Sequence, residues 1–245
     1  MIGRAATLTA AGVALAHAAP AVTSIAPLRR ALWPRLAGIG TADHIALTFD
    51  DGPDPGYTPA LLSILDALHV RATFFLLGSM LTRAPSLGRD LVAAGHEIAL
   101  HGWAHRVLLR RGFGGTVDDL ARGRDLIEDV TGVAVHWWRP PYGVLTTPGI
   151  VAAHRLRLTP ILWTAWGRDW TPSASRETVL ATVERGLRPG GTVLLHDSDC
   201  TSAPGSSRAT LAAVPILVDR VRSRGLRIGA LAEHGILDPA KNPRT

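Results

Sequence analysis

The sequence predicts a (β/α) barrel of about seven to eight parallel strands, and three observations lead there. Short β-prone runs alternate with helical runs from His44 onward, the pattern of parallel strands covered by helices. Asp50, Asp51, His101, Arg139, Asp169 and His196 each fall at or just past the C-terminal end of an expected strand, where a β/α barrel builds its site. No G-x-G-x-x-G or P-loop turn is present, whereas an open doubly wound sheet often carries one at its switch point. A chain of 245 residues is long enough for one such barrel, and 47% hydrophobic with 19% charged residues is ordinary for a packed domain.

The elements follow from periodicity and punctuation. His44 to Phe49 is apolar and free of Pro and Gly, so it reads as a buried strand that Gly52-Pro53 stops. Thr58 to Leu68 carries Leu61, Leu62, Ile64, Leu65 and Leu68 at helical spacing. Arg71 to Leu77 is the second strand, and Pro85 to Ala94 a helix ended by Gly95. His96 to Leu100 is the third strand and delivers His101. Thr116 to Val130 reads as a helix with Thr116 at its cap and Asp118 and Asp119 in its first turn. Strands are expected at 133–138, 158–164, 192–195 and 226–231, with helices at 147–154, 176–187 and 208–224.

Before His44 the chain has a different character. Arg4, the small and apolar run Ala5 to Ala16, and the triplet Ala16-His17-Ala18 have the layout of a short export signal. An uncleaved helix leading into the basic, Pro-bounded segment Pro27 to Arg35 is the alternative. Residues 1–40 are therefore expected to form a separable signal-like or membrane-associating segment and 41–245 the barrel. The protein is expected to be exported or held at the cell envelope, with a cytoplasmic location left open. The net charge of +6 comes almost wholly from arginine, Lys241 being the sole lysine. No basic run is interleaved with aromatics, so no nucleic-acid partner is expected. One cysteine, Cys200, excludes an intramolecular disulfide. Oligomeric state is not legible.

The chemistry gathers around Leu47 to Asp54. Two adjacent carboxylates at a strand end repel each other unless one faces a cation and the other accepts a proton, a division into metal ligand and general base. Taken alone, the stretch is equally an Asp-rich turn closing a strand. His101 and His105 are four residues apart, the spacing at which side chains on one helical turn face the same way. With Asp51 they make a two-His, one-carboxylate set that leaves positions open for water and substrate. Trp137 and Trp163 are expected in the core.

Five motifs in order, Phe49-Asp50-Asp51-Gly52-Pro53, His101-x-x-x-His105, Arg139-Pro140-Pro141-Tyr142, Asp169-Trp170 and Leu194-Leu195-His196-Asp197, resemble those of the polysaccharide deacetylase family (NodB homology domain, carbohydrate esterase family 4). The resemblance covers residues 44 to about 235. It implies a distorted (β/α) deacetylase barrel that removes acetyl groups from an acetylated glycan such as peptidoglycan or chitooligosaccharide. It also implies a divalent metal, zinc by preference, with cobalt, nickel or manganese as alternatives. Position by position it implies Asp50 as general base, Asp51, His101 and His105 as metal ligands, and His196 as general acid. Arg139 would orient Asp50, the Tyr142 N–H would help hold the oxyanion, Asp169 would tune His196, and Trp170 with Leu194 would form the acetyl pocket. Two positions depart from the pattern: Gly102 stands where the family usually has a hydroxyl residue, and Trp166 where it often has an acid. A small amide or cyclic imide is the alternative substrate, and an inactive glycan-binding module the alternative class.

Overall fold

The computed structural model describes residues 2–236, so the last nine residues of the expected domain lie outside the described residues. Eight strands form one parallel sheet: β1 (His44–Asp50), β2 (Thr73–Leu77), β3 (Glu97–Gly102), β4 (Trp137–Trp138), β5 (Thr159–Pro160), β6 (Ala165–Trp166), β7 (Thr192–His196) and β8 (Arg227–Gly229). Their order is β5-β4-β3-β2-β1-β7-β6, with β8 paired to the first half of β1 and β2 to its second half. The distorted parallel barrel is therefore present, and its distortion has a definite place. The run 158–164, expected as one strand, holds only the short β5, and β6 follows it at Ala165–Trp166 on the opposite edge of the open sheet. Residues 161–164 cross the gap as covalent chain, with the Ile161 N–H donating to the Trp138 carbonyl and the Thr164 N–H to the Thr192 carbonyl.

Strand alternation sorts the side chains. Ile45, Leu47 and Phe49 of β1 join Phe74, Leu76, Ile98, Leu100, Val193 and Leu195 in the large cluster under the helices. Ala46, Phe75, Ala99, Trp137 and Ile161 fill the barrel itself. Full burial of one such large side chain is worth about 1.5–3 kcal/mol, so the layers above and below the sheet hold the strand ends in place. Inside the barrel the polar Glu97 is fully engaged, accepting from Thr73 Oγ1 at 2.6 Å, Trp137 Nε1 at 2.8 Å and the Ala232 N–H at 3.0 Å.

The helix expected from Thr116 instead runs Phe113–Thr131, capped by Gly112, because Thr116 Oγ1 turns back onto the Gly112 carbonyl at 2.9 Å. A further short helix at Gly78–Arg83 had no signal in the sequence pattern.

The boundary expected at residue 40 falls inside a stretch that is bonded into the barrel. Ile2–Ala18 and Ala26–Leu32 are helices. Arg29, 2% exposed, donates to the Thr23 and Trp163 carbonyls at 2.8 Å each. The Leu36 carbonyl accepts from the Leu162 N–H at 2.8 Å, and the Gly38 carbonyl from Thr192 Oγ1 at 2.7 Å. Among the described residues no single helix is long and apolar enough to cross a membrane, though Ala11–Ser24 and Ala26–Leu32 pass that test together as a pair bent by 90°.

Candidate active site

Asp50 points into the barrel as the last inward residue of β1, and the next residue would point away in an extended chain. Asp51 instead takes φ 79°, which swings its carboxylate back over the barrel mouth. Gly52 follows because a Cβ there would collide with the Asp197 carboxylate. Asp197 accepts from the Gly52 N–H at 3.1 Å and from Thr58 Oγ1 at 2.7 Å, so a buried acid braces the Asp-Asp turn. Burial pushes the Asp197 carboxyl up to about 7.

His101 is the last residue but one of β3 and His105 lies on the irregular loop beyond it, so no helical turn brings them together. The convergence comes from Gly102 at φ 107° and from Asp119, whose Oδ2 accepts the Trp103 N–H at 2.9 Å while Oδ1 takes Arg111 Nη1 at 2.8 Å. A Cβ at Gly102 would lie 2.9 Å from Asp119 Oδ2, so the missing hydroxyl residue and this carboxylate are one arrangement. His101 Nδ1 is 2.8 Å from the Arg139 carbonyl, to which it donates, and this leaves the Nε2 lone pair facing the acids. Asp51 Oδ1 then stands 3.4 Å from His101 Nε2 and 3.7 Å from His105 Nε2. One ligand atom from each of these three residues lies within 4.8 Å of the others, and Asp51 Oδ1 is buried with no hydrogen-bond partner. An orphaned carboxylate oxygen facing two imidazole nitrogens fits a divalent cation. Thr201 Oγ1 donates to the other oxygen, Oδ2, at 2.5 Å. Burial holds the His101 imidazole down at about 3, so it stays neutral, as a ligand must be.

Asp50 and His196 are paired residues on the adjacent strands β1 and β7. Asp50 Oδ1 accepts Arg139 Nη1 at 2.6 Å inside the barrel. Burial raises the Asp50 carboxyl and Arg139 opposes that shift, so the group is more basic than an ordinary carboxylate. His196 Nδ1 donates to Asp169 Oδ1 at 2.9 Å, while Asp169 Oδ2 takes the His196 backbone N–H at 2.8 Å and Thr210 Oγ1 at 2.6 Å. Burial pulls the His196 imidazole down, but the charge and hydrogen bond of Asp169, with Asp51 and Asp50 behind them, outweigh it and lift the group to about 10.

Asp50, Asp51, His101, His105 and His196 line a cavity of about 200 Å³ together with Tyr142, Trp170 and Leu194. Tyr142 has φ 60° and sets its ring 4.3 Å from that of His105. Trp170 meets His196 edge to face at 5.5 Å. Trp137 is in the core as expected, 1% exposed, whereas Trp163 is a half-buried wall of the cleft, stacked 6.0 Å from Trp166. Pattern reading gave Asp119 only a place in a helix's first turn and did not single out Thr201 or Thr210; all three act through hydrogen bonds to residues far along the chain.

A curled parallel sheet with paired acids and imidazoles at its C-terminal mouth defines a barrel hydrolase with a metal cradle. The chain belongs to the polysaccharide deacetylase family, whose model matches residues 37–161. It is 33% identical over 198 residues to a chitooligosaccharide deacetylase of Bradyrhizobium sp. (strain ANU 289), covering 77% of this chain and 89% of the relative. The fold is similar to a family 4 acetyl xylan esterase from Clostridium thermocellum in complex with a cobalt ion, at TM-score 0.71 and 29% identity, covering 78% and 89% of the two chains. It is similar also to a family 4 pseudoenzyme from Bacillus anthracis, at TM-score 0.70 and 25% identity, covering 78% and 64%.

Proposed function

We propose that this chain removes N-acetyl groups from an N-acetylated glycan of the cell envelope by metal-dependent hydrolysis. The observation that carries the reading is the convergence of Asp50, Asp51, His101, His105 and His196 on one cavity. Asp51, His101 and His105 would hold the ion, zinc by preference, and as a Lewis acid it would polarise the acetyl carbonyl. Asp50 takes a proton from water as the water oxygen attacks the acyl carbon. The Tyr142 N–H stabilises the oxyanion. His196 gives its proton to the sugar nitrogen as the C–N bond breaks, leaving acetate and a free amine. Arg139 orients Asp50, Asp169 keeps His196 charged, and Trp170 with Leu194 encloses the acetyl methyl.

Two other readings are open to test. A small amide or cyclic imide would use the same base and acid, and the solved pseudoenzyme relative makes an inactive module the second. A binder has no use for base, acid and metal cradle together, which favours the enzyme. Acetate release from chitooligosaccharide and peptidoglycan, with and without chelator and beside turnover of small amides, tests all three. Release that chelation abolishes is expected, and turnover of small amides alone would refute the glycan reading. Residues 2–18 would hold the protein at the envelope.

A further inference from the structure

The catalytic cavity does not end the cleft. Over Tyr142, Gly143, Trp163 and Trp166 it continues into a second cavity of about 430 Å³. Arg29 lines that flank with its guanidinium spent on the Thr23 and Trp163 carbonyls, and three further arginines line it: Arg30 from the N-terminal segment, Arg168 just after β6, and Arg185 at the end of the helix Arg176–Glu184. No Asp or Glu lines it. None of the three has a carboxylate partner among the described residues, whereas Arg111, Arg124, Arg139, Arg176, Arg220, Arg224 and Arg227 all do. Trp166, 38% exposed, stands where the family pattern often has an acid, so the floor is an aromatic face rather than a negative charge. The flank on the His105 side mixes charges: Asp118 and Asp119 line it beside Arg106, Arg110, Arg111 and Arg122, with Arg111 tied to Asp119 and Arg122 lying 3.4 Å over the Trp103 ring.

We propose that this flank is a subsite for a carboxylate or phosphate group on the sugar next to the one deacetylated, so that the substrate is an acidic N-acetylated glycan. Guanidinium forks match both anions in a bidentate way, and uncompensated cations in a concave groove concentrate an anionic polymer. Trp166, with the Arg168 guanidinium 6.0 Å from its ring centroid, puts an aromatic surface between the anion and the metal cradle. The subsite rests on the deacetylase reading, and it gives Arg30 of the N-terminal segment a part in choosing substrate.

The test compares kcat/KM on three oligosaccharides of equal length: uncharged N-acetylglucosamine tetramer, a tetramer carrying lactyl carboxylates, and one carrying phosphate esters. The metal-loaded protein is expected to prefer a charged substrate, and Arg30→Gln/Arg168→Gln/Arg185→Gln is expected to cut the charged-to-uncharged ratio by roughly tenfold or more. The arm that shows the preference names the anion. If the triple variant fails to fold, ionic strength decides on the unaltered protein: added salt should erode the ratio. A ratio near one in the unaltered protein, or one that neither salt nor variant moves, overturns the subsite. Calorimetric binding of the same tetramers to Asp50→Asn separates the two readings. Charge-dependent binding with no acetate released from any glycan would sink the deacetylase reading alone, and acetate release without charge preference would sink the subsite alone.

Discussion

Arg139 Nη1 meets Asp50 Oδ1 at 2.6 Å with both side chains almost wholly buried, and the same guanidinium also donates to Thr48 Oγ1 at 2.9 Å and stacks 4.0 Å over Phe75. That leaves Asp50 Oδ2 facing the mouth of the barrel, 3.7 Å from His101 Nε2. A carboxylate oriented by a cation behind it, with its other oxygen presented to the cavity, is the geometry that proton abstraction from water needs. Asp50→Asn keeps the shape and removes the proton acceptor. Acetate release should fall by about 10²–10⁴ while metal content measured by elemental analysis stays at the unaltered level. Retained turnover would refute the base assignment.

His101→Ala addresses the cradle. With one of three ligands gone, bound metal should fall well below one per chain after dialysis, and activity with it. A variant that keeps stoichiometric metal would remove His101 from the ligand set.

The parts of this arrangement that could be read from sequence are those set by local pattern. β1 with its Asp-Asp turn, the Gly95 stop at φ 79°, and the strands delivering His101 and His196 all follow from apolar runs and turn residues within a few positions. The parts that could not are set by contacts between distant residues. His101 and His105 have a helical spacing, yet the loop joining them is shaped by Asp119, and Asp51 is held by Thr201, 150 positions along the chain. The 158–164 run has the composition of one strand. Nothing in it says that Ile161 will donate to Trp138 while Thr164 donates to Thr192 across the opening of the sheet.

Asp169→Asn probes how His196 is kept charged. The general acid must be protonated, so activity is lost as pH rises through the His196 pKa, which Asp169 lifts to about 10. Asparagine still accepts the Nδ1–H but removes the charge, leaving burial to act in the lowering direction. The alkaline limb of the kcat/KM profile should move to lower pH by at least one unit. An unmoved limb would show that Asp169 does not tune the acid.

Neutral buried histidines lower stability in acid, against the buried Asp197 carboxyl, which burial raises to about 7 and which acts in the opposite direction over the same range. Burial first of all holds His96 and His234 down to about 4 from 6.5, and His96 Nδ1 accepts the Ala72 N–H at 3.2 Å, which needs its lone pair. Between pH 6.5 and 4 the unfolded chain takes up protons that the folded chain refuses. The stability present above pH 6.5 is therefore lost as pH falls toward 4. Compared with the unaltered protein between pH 7 and pH 5, His96→Gln, which supplies an uncharged acceptor, should lose less melting temperature as the pH falls. Equal slopes in the two proteins would exclude His96 as a source of acid lability.

The N-terminal segment gives the last test, because its two halves make different contacts. Removing residues 1–18 takes away the hydrogen bond of the Ala16 carbonyl to Thr147 Oγ1, at the exposed surface. Removing residues 1–40 takes away the partners of the Leu162 N–H, of Thr192 Oγ1 and of the Trp163 carbonyl. Each buried polar group left unsatisfied costs about 1–3 kcal/mol, and three of them together approach the 5–15 kcal/mol by which a typical domain is stable. The shorter truncation should therefore be folded and active with a melting temperature within a few degrees of the full chain, and the longer one should unfold or precipitate. A 41–245 fragment that melts like the full chain would show that the barrel closes without residues 29–40, and the contacts of Leu36 and Gly38 would then be incidental to its stability.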